Sequence, residues 1–111
     1  MSAAGSESAG CLVVYTSCAA GRDDEFNRWY DEIHIPEVLA LGPFRRARRY
    51  RLASAQFMPQ THSYLALYEF RGSAAEAVAA LNAAASKFHM SDTMGEAFVS
   101  TAEALGPAQQ A

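Results

Sequence analysis

Two short runs of this chain, CLVVYTS at 11–17 and SYLALYEF at 63–70, carry apolar side chains at odd and even positions alike. Successive side chains of a strand point to opposite faces of its sheet, so Leu12 and Val14 oppose Val13 and Tyr15, and Tyr64, Ala66, Tyr68 and Phe70 oppose Leu65 and Leu67. A sheet built from such strands is too apolar on either face to be left in water. Whatever this chain folds into must cover that sheet twice.

The remaining elements follow in the order β, α, β, β, α, β. After the first strand, Gly21 closes a turn and the acids Asp23, Asp24 and Glu25 open a helix, favoured by its N-terminal dipole, that ends by Gly42-Pro43. Pro36 has no amide hydrogen and disfavours helical geometry at Ile35, which predicts a kink just after His34 and unpaired carbonyls near Glu32 and Ile33. Residues 44–52 alternate as a strand, Phe44 and Tyr50 on one parity and Ala47 and Arg49 on the other, and 53–62 link it to the strand at 63–70 as a long hairpin. Ser73 with Glu76 forms a capping box, opening a second helix with Val78, Leu81, Ala85 and Phe88 at spacings of three and four. An irregular stretch at 89–95 precedes a last strand at 97–105. Two βαβ halves in one small unit predict an α+β, ferredoxin-like βαββαβ sandwich: a four-stranded antiparallel sheet with two helices on one face. The other face is then covered most simply by a second copy, giving a homodimer joined through its sheets, a dimeric α/β barrel.

With 111 residues, half of them hydrophobic, the chain is one domain at 11–106, between an N-terminal arm at 1–10 expected to be disordered and a flexible C-terminus at 107–111. The arm, MSAAGSESAG, has no basic start and no apolar run, so no secretion signal is read there; the alanine-rich stretch at 74–85 contains Glu76 and Asn82 and is too short for a membrane span. These readings predict a cytoplasmic protein without a membrane partner. Cys11 and Cys18 at the two ends of one strand would stand ~23 Å apart, too far for a disulfide. Five of the nine basic residues, Arg45, Arg46, Arg48, Arg49 and Arg51, crowd into one strand. Alternation splits them over two faces, the net charge is −3, and no aromatic stacking motif accompanies them, so nucleic acid is not an expected partner. His34, His62 and His89 lack metal-ligand spacing, and there is no glycine-rich phosphate loop and no GxSxG, so neither a metal nor another cofactor is expected.

One histidine stands among polar partners on a core-facing helix. At ~100° per residue His34 shares a face with Asn27, Tyr30 and Asp31, beside an apolar stripe of Phe26, Trp29 and Ile33. A carboxylate one turn back could orient the ring as an acid or base, and equally could be a solvated acid on an acid-rich helix. Trp29 and Tyr30 read as core residues as well as ligand platforms. Arg49, on the parity of Ala47, is the arginine best placed to be held inside, where it would favour a carboxylate, enolate or phenolate on a ligand.

The run EFNRWYDEIHIPEVLALGPF, then ARRYRL, then YLALYEF resembles the EthD-like branch of the dimeric α/β-barrel superfamily, whose members carry a helix with a Trp-Tyr pair followed by H-x-P-E, an R-Y strand and an aromatic-rich third strand. The match spans residues 11–70, with Gly42-Pro43-Phe44 where Pro-Gly-Phe is more usual. The resemblance implies a homodimer with one pocket per subunit between sheet and helices, in which a histidine and nearby tyrosines handle protons. Carried over, the motif histidine is His34, the Trp-Tyr pair is Trp29 and Tyr30 and the strand pair is Arg49 and Tyr50. With the readings above, His34 is expected as the base, Asp31 as its candidate orienting carboxylate, and Tyr50 or Tyr68 as the group that polarises a substrate oxygen, with Trp29, Tyr30, Arg49 and Tyr68 lining the site. The implied activity is cofactor-independent proton transfer next to a carbonyl, of the cyclase, isomerase or dehydratase type, on a small hydrophobic aromatic, polyketide-like or lactone compound. A cofactor-free monooxygenase and a non-catalytic ligand-binding or accessory protein are the alternatives.

Overall fold

A computed structural model describes residues 8–111. Strand β1 (Gly10–Cys18) is followed by helix α1 (Asp23–Trp29), a π-helical turn (Tyr30–His34) and helix α2 (Ile35–Leu39). Strands β2 (Phe44–Arg51) and β3 (Tyr64–Phe70), helix α3 (Ala74–Ala84), a short 3-10 turn (Ala85–Lys87) and strand β4 (Met94–Glu103) complete the fold. The sheet order is β2-β3-β1-β4 with every neighbouring pair antiparallel. This is the ferredoxin-like arrangement: β1 and β3 lie in the middle, where two-sided apolar strands belong, and the helices cover one face. The core joins Leu12, Val14, Ala66, Tyr68 and Phe70 of the sheet to Phe26, Trp29, Tyr30, Val38 and Ala77 of the helices.

Several boundaries differ from the sequence reading. The Ala9 amide donates to the Phe70 carbonyl at 2.9 Å and the Ala9 carbonyl accepts from Ala104 at 2.8 Å, so 8–10 belong to the fold and not to an arm; 1–7 lie outside the described residues. Strand β4 begins at Met94, because an irregularity between Thr16 and Cys18 lets Met94 pair with Cys18. Ser73 accepts from the Glu76 amide and Glu76 reaches back to the Ser73 amide, the reciprocal cap that the spacing predicts. Phe88 falls beyond α3, in extended backbone after the 3-10 turn.

The first helix does not simply kink at Pro36. It widens before it, into a turn whose closing bond runs from the Ile35 amide to the Tyr30 carbonyl. A widened turn takes up a residue that the proline, with no N–H to give, could not hold in an α-ladder. The rephasing decides what is buried. The step from Tyr30 to Val38 is about 2.2 α-helical turns, leaving Val38 ~80° from the Tyr30 face, and absorbing about one residue cuts this to ~20°. Tyr30 and Val38 are both buried, whereas Ile33, expected in the apolar stripe, is 41% exposed.

A second irregularity reassigns the faces of β2. Phe44 pairs with Phe70 but Arg46 pairs with Glu69, so Arg45 is the extra residue of a bulge. Phe44 thereby joins Ala47 and Arg49 on the helix side, while Arg46, Arg48 and Tyr50 face away, opposite Glu69, Leu67 and Leu65. The expected shared parity of Phe44 and Tyr50 is corrected by that one residue. The open face carries Val13, Tyr15, Leu65 and Leu67, half-buried, and Phe98, exposed.

Candidate functional site

His34 sits in an aromatic cage. Its ring stacks on Trp29 (centroids 5.0 Å apart, 20° between planes) and meets Tyr30 and Phe88 edge-on at 5.1 and 5.5 Å. Its Nδ1 is buried without a hydrogen-bond partner. Burial pushes the imidazole below its usual range, with Glu37 pulling weakly the other way, so the ring is neutral near pH 7. The cage is closed by the segment before β4: Trp29 Nε1 donates to the His89 carbonyl at 2.7 Å, and the Glu37 carboxylate accepts from the His89 amide at 3.0 Å and lies 2.6 Å from its Nδ1.

Asp31 does not orient His34. It is exposed and accepts from Arg49 Nη1 at 3.1 Å. The pairing inferred from a three-residue spacing is corrected by the π turn, which changes the angle between the two side chains. Tyr50 is not brought to His34 either, since it points from the open face, where the Arg48 guanidinium lies 5.4 Å from its ring. Tyr68 is buried and donates to the Tyr30 hydroxyl at 2.9 Å. Desolvation raises the pKa of both phenols, and the pair is a structural tie between β3 and the π turn.

Arg49 is inside, with its guanidinium carbon 4.4 Å from the Tyr30 ring centre and 5.5 Å from those of Phe26 and Tyr64. Its Nη2 donates to Asn27 Oδ1 at 2.7 Å, and its Nε is buried without a partner. Asn27 turns its own Nδ2 toward the Tyr64 hydroxyl at 3.4 Å. That hydroxyl donates to Asp23 Oδ2 at 2.5 Å. The bond holds the Asp23 carboxyl below the usual carboxylate range, with the Cys18 thiol and the charge of Arg51 adding to it.

These groups line one open cleft where β2 ends and the 52–63 hairpin leaves the sheet. Asn27, Asp31, Arg49, Tyr50, Arg51 and Tyr64 wall a space of about 340 Å³, so Tyr50, expected at the site, borders this cleft though not His34. Arg51 and Tyr64 also wall the adjoining space of about 720 Å³, together with Asp23, His62, Phe57 and Met58. The sequence reading placed Arg49 inside but missed Tyr64, Asp23 and Arg51. Arg51 shares the parity of Arg49 and was open to the same argument. The meeting of Tyr64 with Asp23 joins the first residue of a strand to the first residue of a helix, which no local pattern marks.

Over residues 12–102 the chain matches the family described as Domain of unknown function (DUF4286). Because the match covers most of the chain, it belongs to that family. No curated protein and no solved structure matches it.

Proposed function

We propose that this DUF4286 chain binds a small, partly apolar organic molecule in the cleft at the end of β2 and moves a proton next to its carbonyl without a cofactor. The observation that carries this reading is the 2.5 Å bond from the Tyr64 hydroxyl to Asp23 in the cleft wall. A carbonyl oxygen docked at Tyr64 competes with Asp23 for the hydroxyl hydrogen. When Tyr64 turns that hydrogen to the ligand, it polarises the carbonyl and releases the hydrogen bond that lowers the Asp23 pKa, making the carboxylate a stronger base. Asp23 then takes the proton on the carbon beside the carbonyl and returns it to the same or a neighbouring atom. Asn27 and Arg49 hold Tyr64 in place, and His34 takes no part.

The resemblance to the EthD-like branch of the dimeric α/β barrels supports the same reaction class, with the acid-base work moved from His34 and Asp31 to Tyr64 and Asp23. It also supports a homodimer, as does the apolar open face of Val13, Tyr15, Leu65, Leu67 and Phe98. The test is exchange of α-protons for deuterium in small ketones such as 2-tetralone and acetylacetone, followed by proton NMR. Catalysed exchange that falls by about 10² to 10⁴-fold in Tyr64→Phe and Asp23→Asn is the expected result. Exchange at the buffer rate across the panel, or unchanged in both variants, overturns the reading. A non-catalytic ligand-binding protein is the second reading, favoured by the complete engagement of both Arg49 Nη groups with Asn27 and Asp31; binding without exchange is its mark.

A further inference from the structure

We propose that the ligand of this cleft is an organic anion, its charged end held by Arg51 beside Arg49 and its apolar end lying on Phe57 and Met58; the inference rests on the cleft being the ligand site proposed above. Strand β2 ends with two arginines on the helix side, Arg49 opposite Ala66 and Arg51 opposite Tyr64. The two carboxylates of the cleft are both engaged, Asp31 by Arg49 and Asp23 by Tyr64. Among the described residues no carboxylate lies within ion-pair distance of Arg51, the one side chain besides Tyr64 that walls both parts of the cleft. The hairpin that forms the far wall, residues 52–63, contains no acid at all. A guanidinium with no carboxylate within ion-pair distance, facing a hairpin without acids, is a fork for a carboxylate or an enolate oxygen pair, and the buried, unpartnered Nε of Arg49 is a further donor in the same cleft wall. The same hairpin leaves Phe57 fully exposed and Met58 67% exposed at the cleft mouth, uncovered apolar area that an aromatic or aliphatic body would cover. Asp23 in the same wall disfavours a second negative charge, which points to a monoanion.

Phenylacetate and its uncharged analogue phenylacetamide, titrated into the whole chain and followed by amide shifts in nitrogen-15 NMR, separate charge from shape. Phenylacetate is expected to move the amides of Arg51, His62 and Tyr64 and to bind about tenfold or more tightly than phenylacetamide. Arg51→Gln should bring the two affinities to within about twofold of each other, while Phe57→Ser should weaken both alike. Equal affinities in the parent chain, a preference that survives Arg51→Gln, shifts confined to other regions, or no shift with either probe overturns the proposal. Ketone exchange without an anion preference overturns this inference alone, and an anion preference without ketone exchange overturns the proton-transfer reading alone.

Discussion

The guanidinium of Arg49 lies 4.4 Å over the ring of Tyr30 while its two Nη groups reach Asn27 and Asp31, so one side chain of an edge strand fastens that strand to α1 and to the π turn at once. The two polar contacts are unequal, because Asn27 is half-buried and Asp31 exposed.

Arg49→Ala is therefore expected to lower the unfolding free energy by about 2 to 4 kcal/mol, losing a cation over an aromatic ring, two hydrogen bonds and buried aliphatic packing. Asp31→Asn should cost no more than about 1 kcal/mol, since its ion pair is solvated. Urea denaturation of the two variants checks the contrast.

The Tyr68 to Tyr30 bond gives a second contrast. Tyr68→Phe leaves the buried Tyr30 hydroxyl without a partner and should cost about 1 to 2 kcal/mol. Removing both hydroxyls should cost less than the sum of the two single changes, because the double variant buries no orphan. A strictly additive double-mutant cycle would speak against the tie.

His34 makes stability depend on pH in a definite sense. Its folded pKa lies below the unfolded value of 6.5, so the unfolded chain takes up the proton first. Stability is full above that value and is lost as pH falls from it through the folded pKa. Glu37, held low by its bond from His89, adds a separate loss below 4.5. Melting temperatures across this range should show both limbs, with His34→Phe flattening the upper and Glu37→Gln reducing the lower, to which Asp23 and Glu69 also contribute, while slightly deepening the upper.

Light scattering should return twice the 12.0 kDa chain mass, and Leu67→Glu on the open face should return the single-chain mass with the fold intact. A monomeric parent chain at micromolar concentration would remove the sheet-to-sheet dimer.

What could be read from residues alone follows the physics of short range. Alternation, the Ser73 and Glu76 cap and the two-sided strands led to the element order and the fold, and the shared parity of Ala47 and Arg49 placed that arginine inside. Two local insertions were invisible. The bulge at Arg45 lies within a run of arginines whose polarity is the same on either face, so periodicity could not register it. Pro36 marked a break in the helix but not its form, and the widened turn is what parted Asp31 from His34 and sent it to Arg49. The Tyr64 and Asp23 pair depends on how the 53–62 loop and α1 return to one corner, a matter of tertiary closure.

The π turn also carries one residue that the core does not need. Since it holds about one residue more than an α-turn, deleting a residue from 31–33 would let an α-ladder, short only of the Pro36 N–H, run on to Leu39. Tyr30 and Val38 would then stand seven α-steps apart, ~20° from a common face, so both stay buried and the Tyr68 to Tyr30 bond survives. What the extra residue sets is the bearing of the side chains in between: a homologous chain with a gap in this stretch keeps the core and must hold Arg49 without Asp31 where the turn now places it.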